Sequence, residues 1–495
     1  MSDSDFPLLE KSITELQAMM ADETYSAEQL VQLYLDRIAQ IDAAGPSLNS
    51  VIEINPDAIN IAKQLDRERA IEALRGPLHG IPILLKDNID TGDQMLTTAG
   101  SLAMTHAPAP DDAILVKNLR KAGAIILGKT NLSEWANFRS NRSSSGWSSR
   151  NGQTRNAYAL DRNTSGSSSG SGVAVAASLC AVAIGTETDG SIVSPSAASG
   201  IVGIKPTVGL VSQDGIIPIS ATQDTAGPMA RTVADAAAVL SVIRTSEDSN
   251  HIDYTQFLDE NALDGKKIGI ARQFFGKHPD SDQQMEQAVE LMRSLGAIIV
   301  GDIKMPPRSE WGSNEMTVLL YEFKDGLNRY LKSRGDDFPM QSMEDLIAFN
   351  KANADTIMPI FGQELFEMAQ GKGDLEEGEY LEALLNCITA SRIDGLDVAL
   401  EGLDALVAPT RGPAWLTDHI NGDSGTAGCS SYPAVSGYPH ITLPLGYSNG
   451  LPLNISFMGR PWEERVLIGL AYAFEQANPV RVAPTFRPTS GILST

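Results

Sequence analysis

The chain has 495 residues, 42% of them hydrophobic, and a formal net charge of −24, so it is composed like a globular protein and is long enough to bury a large core. Lysine and arginine form no block, which argues against nucleic acid, bound largely through neutralised phosphates, and against anionic membrane surfaces as partners. Three cysteines, Cys180, Cys387 and Cys429, are an odd count without C-x-x-C spacing, so neither a disulfide framework nor a zinc site is expected.

The N-terminus, Met1-Ser-Asp-Ser-Asp-Phe-Pro7, lacks a basic segment followed by an apolar one, and nowhere do about 18 apolar residues run together. A cytoplasmic protein is the expectation, with the reservation that a mature exported form given a new Met reads the same. Ser12 with Glu15, and Ser26 with Gln29, each fit a capping box at a helix start. Behind the second, Leu30, Leu33, Tyr34, Ile38 and Ile41 recur at helical spacing, so the region to about residue 75 is read as helical. From about Gly76 short apolar runs alternate with turns and helices, at 81–85, 124–127, 201–204, 268–271 and 297–300. This alternation predicts an α/β sheet covered on both faces. Residues 310–403 read as a polar, acidic, largely helical insertion that layers on the sheet, with the alternative that part of it walls a substrate cleft. Strand patterning resumes at 405–410 and 440–446, which predicts one domain over 1–495 whose ends pack together.

The run Ser165-Gly-Ser-Ser-Ser-Gly-Ser-Gly172 has the composition of a flexible linker. It leads, however, straight into the apolar stretch 173–184, which must be buried, and then into Gly185-Thr-Glu-Thr-Asp-Gly-Ser191. The run contains no lysine, so a phosphate loop is not expected, and G-x-G-x-x-G is absent. A helix over 170–181 climbs about 18 Å, and a strand of about six residues descends about 20 Å. Ser191 then returns to the level of Ser167.

Gly166-Ser-Ser-Ser-Gly170 also fits the G-x-S-x-G elbow of α/β-hydrolases, with Ser168 as the attacking group of an esterase. That motif needs a strand before it, and 158–164 is polar and turn-like; His419 and His440 form no constellation with it. Another solution uses no histidine, because a neutral lysine can take the proton of a serine. Lys86 ends an apolar strand, where burial favours the uncharged amine; lowering its pKa by about 3 units corresponds to about 4 kcal/mol. Lys129 and Lys205 occupy similar strand ends, and chemistry alone leaves the three open. The backbone N–H groups of Thr188, Asp189, Gly190 and Ser191 can converge on one point, as an acyl-transfer oxyanion requires.

Gly80-Ile-Pro-Ile-Leu-Leu-Lys-Asp-Asn-Ile89, Gly128-Lys-Thr-Asn-Leu-Ser-Glu-Trp-Ala136, Gly166-Ser-Ser-Ser-Gly170, Gly185-Thr-Glu-Thr-Asp-Gly-Ser-Ile192 and Gly203-Ile-Lys-Pro-Thr-Val-Gly-Leu-Val-Ser212 follow in order the pattern of the amidase signature family of serine hydrolases. Asp224-Thr-Ala-Gly-Pro-Met-Ala-Arg-Thr-Val-Ala-Asp235 and Gly450-Leu-Pro-Leu-Asn-Ile-Ser-Phe-Met-Gly459 continue the resemblance. It implies one large α/β domain, a mixed twisted central sheet covered by helices on both faces, with the signature core at about 76–245. It further implies Lys86 as base, Ser167 as the bridging serine after a cis peptide bond, Ser191 as nucleophile and Thr188 to Ser191 as the oxyanion hole. Lys129 and Lys205 fall at positions without a catalytic role. Two residues depart from the pattern: Asp189 stands where many members have a second glycine, and Val193 where they have arginine.

Gly146-Trp-Ser-Ser-Arg-Asn-Gly-Gln-Thr-Arg-Asn156, Thr188-Asp-Gly-Ser-Ile-Val193 and Asp214-Gly-Ile-Ile-Pro-Ile-Ser220 are most similar to bacterial peptide amidases. This implies hydrolysis of a peptide's C-terminal amide to the acid and ammonia, with other acyl or aryl amides, or a glutamine-hydrolysing amidotransferase subunit, as alternatives. Trp135, Ala136, Asn137 and Trp147 are expected at the mouth of the cleft, ordinary packing being the competing reading. The expectation is a monomer that acts on a small peptide amide without metal or organic cofactor.

Overall fold

A computed structural model describes residues 6–245, 252–426 and 428–491. The first five residues, on which much of the leader expectation rests, lie outside them. In chain order the strands are β1 (Val51–Ile54), β2 (Pro82–Lys86), β3 (Ile125–Thr130), β4 (Trp147–Ser148), β5 (Gly152–Gln153), β6 (Val182–Glu187), β7 (Val202–Lys205), β8 (Thr225–Ala230), β9 (Lys267–Ile270), β10 (Ile298–Val300), β11 (Ala405–Pro409), β12 (His440–Ser448) and β13 (Leu451–Met458). β4 and β5 pair with each other, and the rest form an 11-stranded sheet in the order β1-β3-β2-β6-β8-β7-β12-β13-β11-β9-β10. β2 lies between β3 and β6 and is parallel to both. The C-terminal ends of three buried strands therefore open on one edge.

The sheet is mixed, as β6, β8, β7, β12, β13 and β11 follow one another antiparallel, while β9 runs parallel to β11 and β10. Side-chain alternation on β11 shows why both faces are covered. Ala405 and Val407 join the main core, which holds Val233, Leu240, Leu467 and Phe474 of two helices. Leu406 and Ala408 join another, with Trp311, Val318, Tyr321 and Tyr380 of the insertion. A further cluster sets Leu319, Phe323 and Phe366 against Leu132, Trp135, Ile217 and Ile219, so the insertion rests on loops beyond β3 and before β8.

Both capping boxes form, with Glu15 N donating to Ser12 Oγ at 3.2 Å and Gln29 N to Ser26 Oγ at 3.2 Å. The helix Ala27–Arg37 then widens into a π-helical stretch, Ile38–Ala44, which keeps Ile38 and Ile41 buried. The helical reading of the N-terminal region misses β1, a short edge strand whose antiparallel partner is β3. β8 also escapes apolar patterning, because Thr-Ala-Gly-Pro-Met-Ala is small and turn-like in isolation. Among the described residues no helix is long and apolar enough to cross a membrane.

Candidate active site

The serine-rich run is a buried helix start. The Gly166–Ser167 peptide is cis, and every residue of the following helix, Ser169–Ala176, is buried. Small residues are required there, since a Cβ on Gly170 would collide with the backbones of Ser50 and Asn131. The helix ends a turn earlier than the expected 181. Ser178 takes φ 54, and Ser178 N and Leu179 N close onto Val175 O at 3.2 Å and Ala174 O at 2.8 Å, a Schellman termination with serine in glycine's place. The chain returns as β6, and Ser168 N donates to Ser191 O at 3.2 Å. One backbone hydrogen bond thus ties the two serine segments together.

Lys86, the last residue of β2, is fully buried. Its Nζ lies 2.7 Å from Ser167 Oγ, 2.8 Å from Thr186 Oγ1 and 3.1 Å from Thr186 O. Burial pulls its pKa down to about 7, against the opposing charges of Asp224 and Glu187. As a neutral amine it can donate to the two Thr186 oxygens and present its lone pair to Ser167 Oγ. Lys129 is also buried and lowered, but its Nζ donates to Ile89 O, Leu96 O and Thr97 Oγ1 at 2.8, 3.1 and 3.0 Å, fastening a loop. Lys205, lowered to about 8 by burial, donates to Pro206 O at 3.0 Å. Of the three, Lys86 is the one hydrogen-bonded to a serine hydroxyl.

Beyond β6 the chain turns through Thr188, Asp189, Gly190 and Ser191. Gly190 carries the left-handed backbone, φ 79, and Asp189 is not among the positive-φ residues, so tolerance of unusual angles is not what the aspartate supplies. Glu187 Oε2 accepts from Ile192 N at 2.7 Å and Val193 N at 3.0 Å. Among the described residues the N–H groups of Asp189, Gly190 and Ser191 meet no backbone acceptor. They can therefore serve an anion. Ser191 keeps 8% exposure where Lys86 and Ser167 have none. It is the member of the set that solvent reaches.

The Asp189 carboxylate accepts from Ser430 Oγ and Ser431 Oγ, each at 2.6 Å, and Arg308 Nη2 is 3.9 Å from its Oδ2. Thr188 Oγ1 donates to Asp224 Oδ1 at 2.6 Å, where burial raises Asp224 to about 6. Sequence reasoning missed Thr186, Asn88, Glu187 and Asp224 as neighbours of the site. Asn88 Nδ2 donates to Thr186 Oγ1 at 3.0 Å, and its place two residues after Lys86 was the available signal.

Trp135, Ala136 and Asn137 are successive left-handed residues, φ 51, 53 and 70. Ala136 lines a cleft with Thr186, Thr188, Ile217 and Ile219, and Asn137 Nδ2 lies beside Gly166. Trp135 instead packs its ring edge on Phe366 and Trp147 on Phe361, both buried. The structure thus brings Ala136 and Asn137 towards the serines and leaves both tryptophans in packing. His440 Nε2 pairs with Ser456 Oγ at 2.6 Å and His419 Nε2 with Gln153 Oε1 at 2.8 Å.

Ser168 is a fastener between the helix and β6, its Oγ donating to Thr186 O at 3.0 Å and accepting from Thr186 N at 3.2 Å. No strand precedes it and neither histidine above bonds it, which removes the esterase elbow. Ser168→Ala is expected to cost roughly 1–3 kcal/mol in urea unfolding while holding kcat within about tenfold. Complete loss of turnover in a folded Ser168→Ala would restore the elbow. Cys180, Cys387 and Cys429 are free and buried, and among the described residues no group of three or more His, Cys, Asp or Glu is placed to hold a metal ion.

Residues 29–468 match the family model described as Amidase. A probable amidase of Arabidopsis thaliana is 40% identical over 504 residues, covering 98% of this chain and 93% of the relative. A glutamyl-tRNA(Gln) amidotransferase subunit of Pseudomonas aeruginosa is 33% identical, covering 94% of this chain and 97% of the relative. The solved structure of native peptide amidase from Stenotrophomonas maltophilia superposes with a TM-score of 0.92 at 50% identity, covering 97% of this chain and 99% of that one.

Proposed function

The chain belongs to the amidase signature family, and from that premise we propose that it hydrolyses the C-terminal amide of peptides, releasing the free acid and ammonia. The observation that carries the chemistry is the buried Lys86–Ser167 contact at 2.7 Å, set beside the turn that bears Ser191. Neutral Lys86 accepts a proton from Ser167 as Ser167 takes one from Ser191, and Ser191 Oγ attacks the amide carbonyl. The N–H groups of the turn hold the tetrahedral oxyanion. Protons return along the same path to the leaving nitrogen, ammonia departs, and water cleaves the acyl-serine with the relay again acting as base.

Similarity to a peptide amidase at 50% identity over nearly the full length of both chains supports the peptide substrate. A narrow cleft lined by Ala136, Ile217 and Ile219 reaches Thr186 and Thr188 beside the site. We propose a chain that acts alone and needs no cofactor. The test is ammonia release from a panel of peptide amides, acyl anilides and glutamine with purified protein. Peptide amides are expected to be turned over with kcat/KM at least about tenfold above either other class. Equal or better turnover of anilides, or glutamine hydrolysis dependent on an added partner, would reject the peptide reading.

A further inference from the structure

The turn that bears Ser191 is tied through its carbonyls, Gly190 O accepting from Ser194 N at 2.8 Å and Ser191 O from Ser168 N at 3.2 Å, while its N–H groups are left open. Upstream, Thr188 is held through Oγ1 by Asp224 at 2.6 Å and through its carbonyl by Gln223 Nε2 at 3.3 Å. Downstream, Glu187 holds the N–H groups of Ile192 and Val193. Between them, the three N–H groups of residues 189–191 meet no backbone acceptor among the described residues. Asp189 supplies the side-chain tie there, to Ser430 and Ser431, more than 240 residues away in sequence. Ser430 also closes over Gly190, where an added Cβ would lie 2.9 Å from its Oγ.

A carboxylate beside a developing oxyanion opposes it unless its charge is met elsewhere. Arg308 Nη2 stands 3.9 Å from Asp189 Oδ2 and 2.6 Å from Glu315 Oε2, which is buried. Burial and the neighbouring Asp189 charge hold the Glu315 carboxyl well above its usual range, so near neutral pH the guanidinium has Asp189 as its charged partner. A glycine at position 189, as in the family's common pattern, would bring neither the tie nor the charge. In this chain the two arrive together.

We infer that the Asp189 side chain is a positioning group for the reaction, fixing the N–H groups of residues 189–191 through Ser430 and Ser431 while Arg308 balances its charge. The inference rests on the reading of Ser191 as nucleophile. Asp189→Ala and the double variant Ser430→Ala/Ser431→Ala are expected to lower kcat roughly 10- to 100-fold, as a small misplacement of oxyanion donors does. KM should stay within about threefold. Asp189→Asn can still engage both hydroxyls, donating to one and accepting from the other, and should keep kcat within about threefold of wild type.

A peptide aldehyde places its hemiacetal oxygen where the oxyanion forms, so its affinity should weaken by the same factor as kcat in the two alanine variants. Affinity for the product peptide acid should not change. The double serine variant carries the test if Asp189→Ala does not fold. A kcat within twofold of wild type in a folded alanine variant, an Asp189→Asn as impaired as Asp189→Ala, or unchanged aldehyde affinity would overturn the inference. A wild-type protein inert towards every amide would instead reject the underlying reading, which the same assays show first.

Discussion

Lys86→Met is expected to cut peptide-amide hydrolysis by about 10²- to 10⁴-fold, the usual worth of a positioned general base. In the wild type the base must be neutral, and its pKa is held near 7 by burial, so kcat/KM should rise with pH through about 7 and then level. Stability carries a second signature of the same shift. The folded amine titrates near 7 and the unfolded one near 10.5, so between these values the unfolded chain binds the additional proton. Wild-type stability therefore increases with pH across that interval, by about 1.4 kcal/mol per unit from this residue. Methionine removes the titrating group and with it the hydrogen bonds to Ser167 and Thr186, whose loss is nearly independent of pH. The stability of Lys86→Met relative to wild type should thus fall steadily between pH 7 and pH 10 in denaturant titrations. A constant difference would mean that Lys86 is not held neutral.

Ser191→Ala is expected to have the larger effect on turnover, a loss on the order of 10⁶-fold, as when the nucleophile of a coupled catalytic set is removed. Its effect on stability should be small, since among the described residues the Ser191 hydroxyl makes no hydrogen bond to the protein. This separates it from Ser168, whose hydroxyl bonds Thr186 twice. Substrate binding measured at equilibrium should persist in Ser191→Ala. Full turnover by this variant would remove the nucleophile assignment outright.

Much of the fold was legible because its central strands are short apolar runs closed by turns. β2, β3, β7, β9, β10, β11 and β12 all lie where those runs stand. β1 and β8 were not legible: Val-Ile-Glu-Ile is only four residues long and lies between helical stretches, and Thr-Ala-Gly-Pro-Met-Ala is small and turn-like; each is completed by a partner strand alongside, β3 for β1 and β6 for β8. The candidate site divides the same way. Local pattern placed Lys86, Lys129 and Lys205 at strand ends alike, and burial lowers all three, so residue type and burial could not rank them. Their surroundings differ through sheet order, which sets β6 beside β2 and brings Thr186 and Ser167 to Lys86. Family resemblance ranks Lys86 first, and of the three it is the one whose Nζ meets a serine hydroxyl.

Asp189 shows the limit from the other side. As sequence it was a carboxylate in a turn that should repel one. The donors that occupy it come from residues 430 and 431 and the neighbouring cation from residue 308, far beyond any local window. Trp135, which follows the strand that ends at Lys129, and Trp147 are both expected at the cleft, yet their rings meet aromatic partners in Phe366 and Phe361. Hydrophobic area decided their placement.

The relay through Lys86, Ser167 and Ser191 requires a covalent acyl-serine, and that intermediate can be trapped. Acid quenching during turnover of a peptide ester, followed by proteolysis and mass spectrometry, should find the acyl group on Ser191 in wild type and on no residue in Ser191→Ala. An acyl group on Ser167 or Ser168, or steady turnover with no acyl-enzyme in a quench fast enough to catch one, would contradict the account.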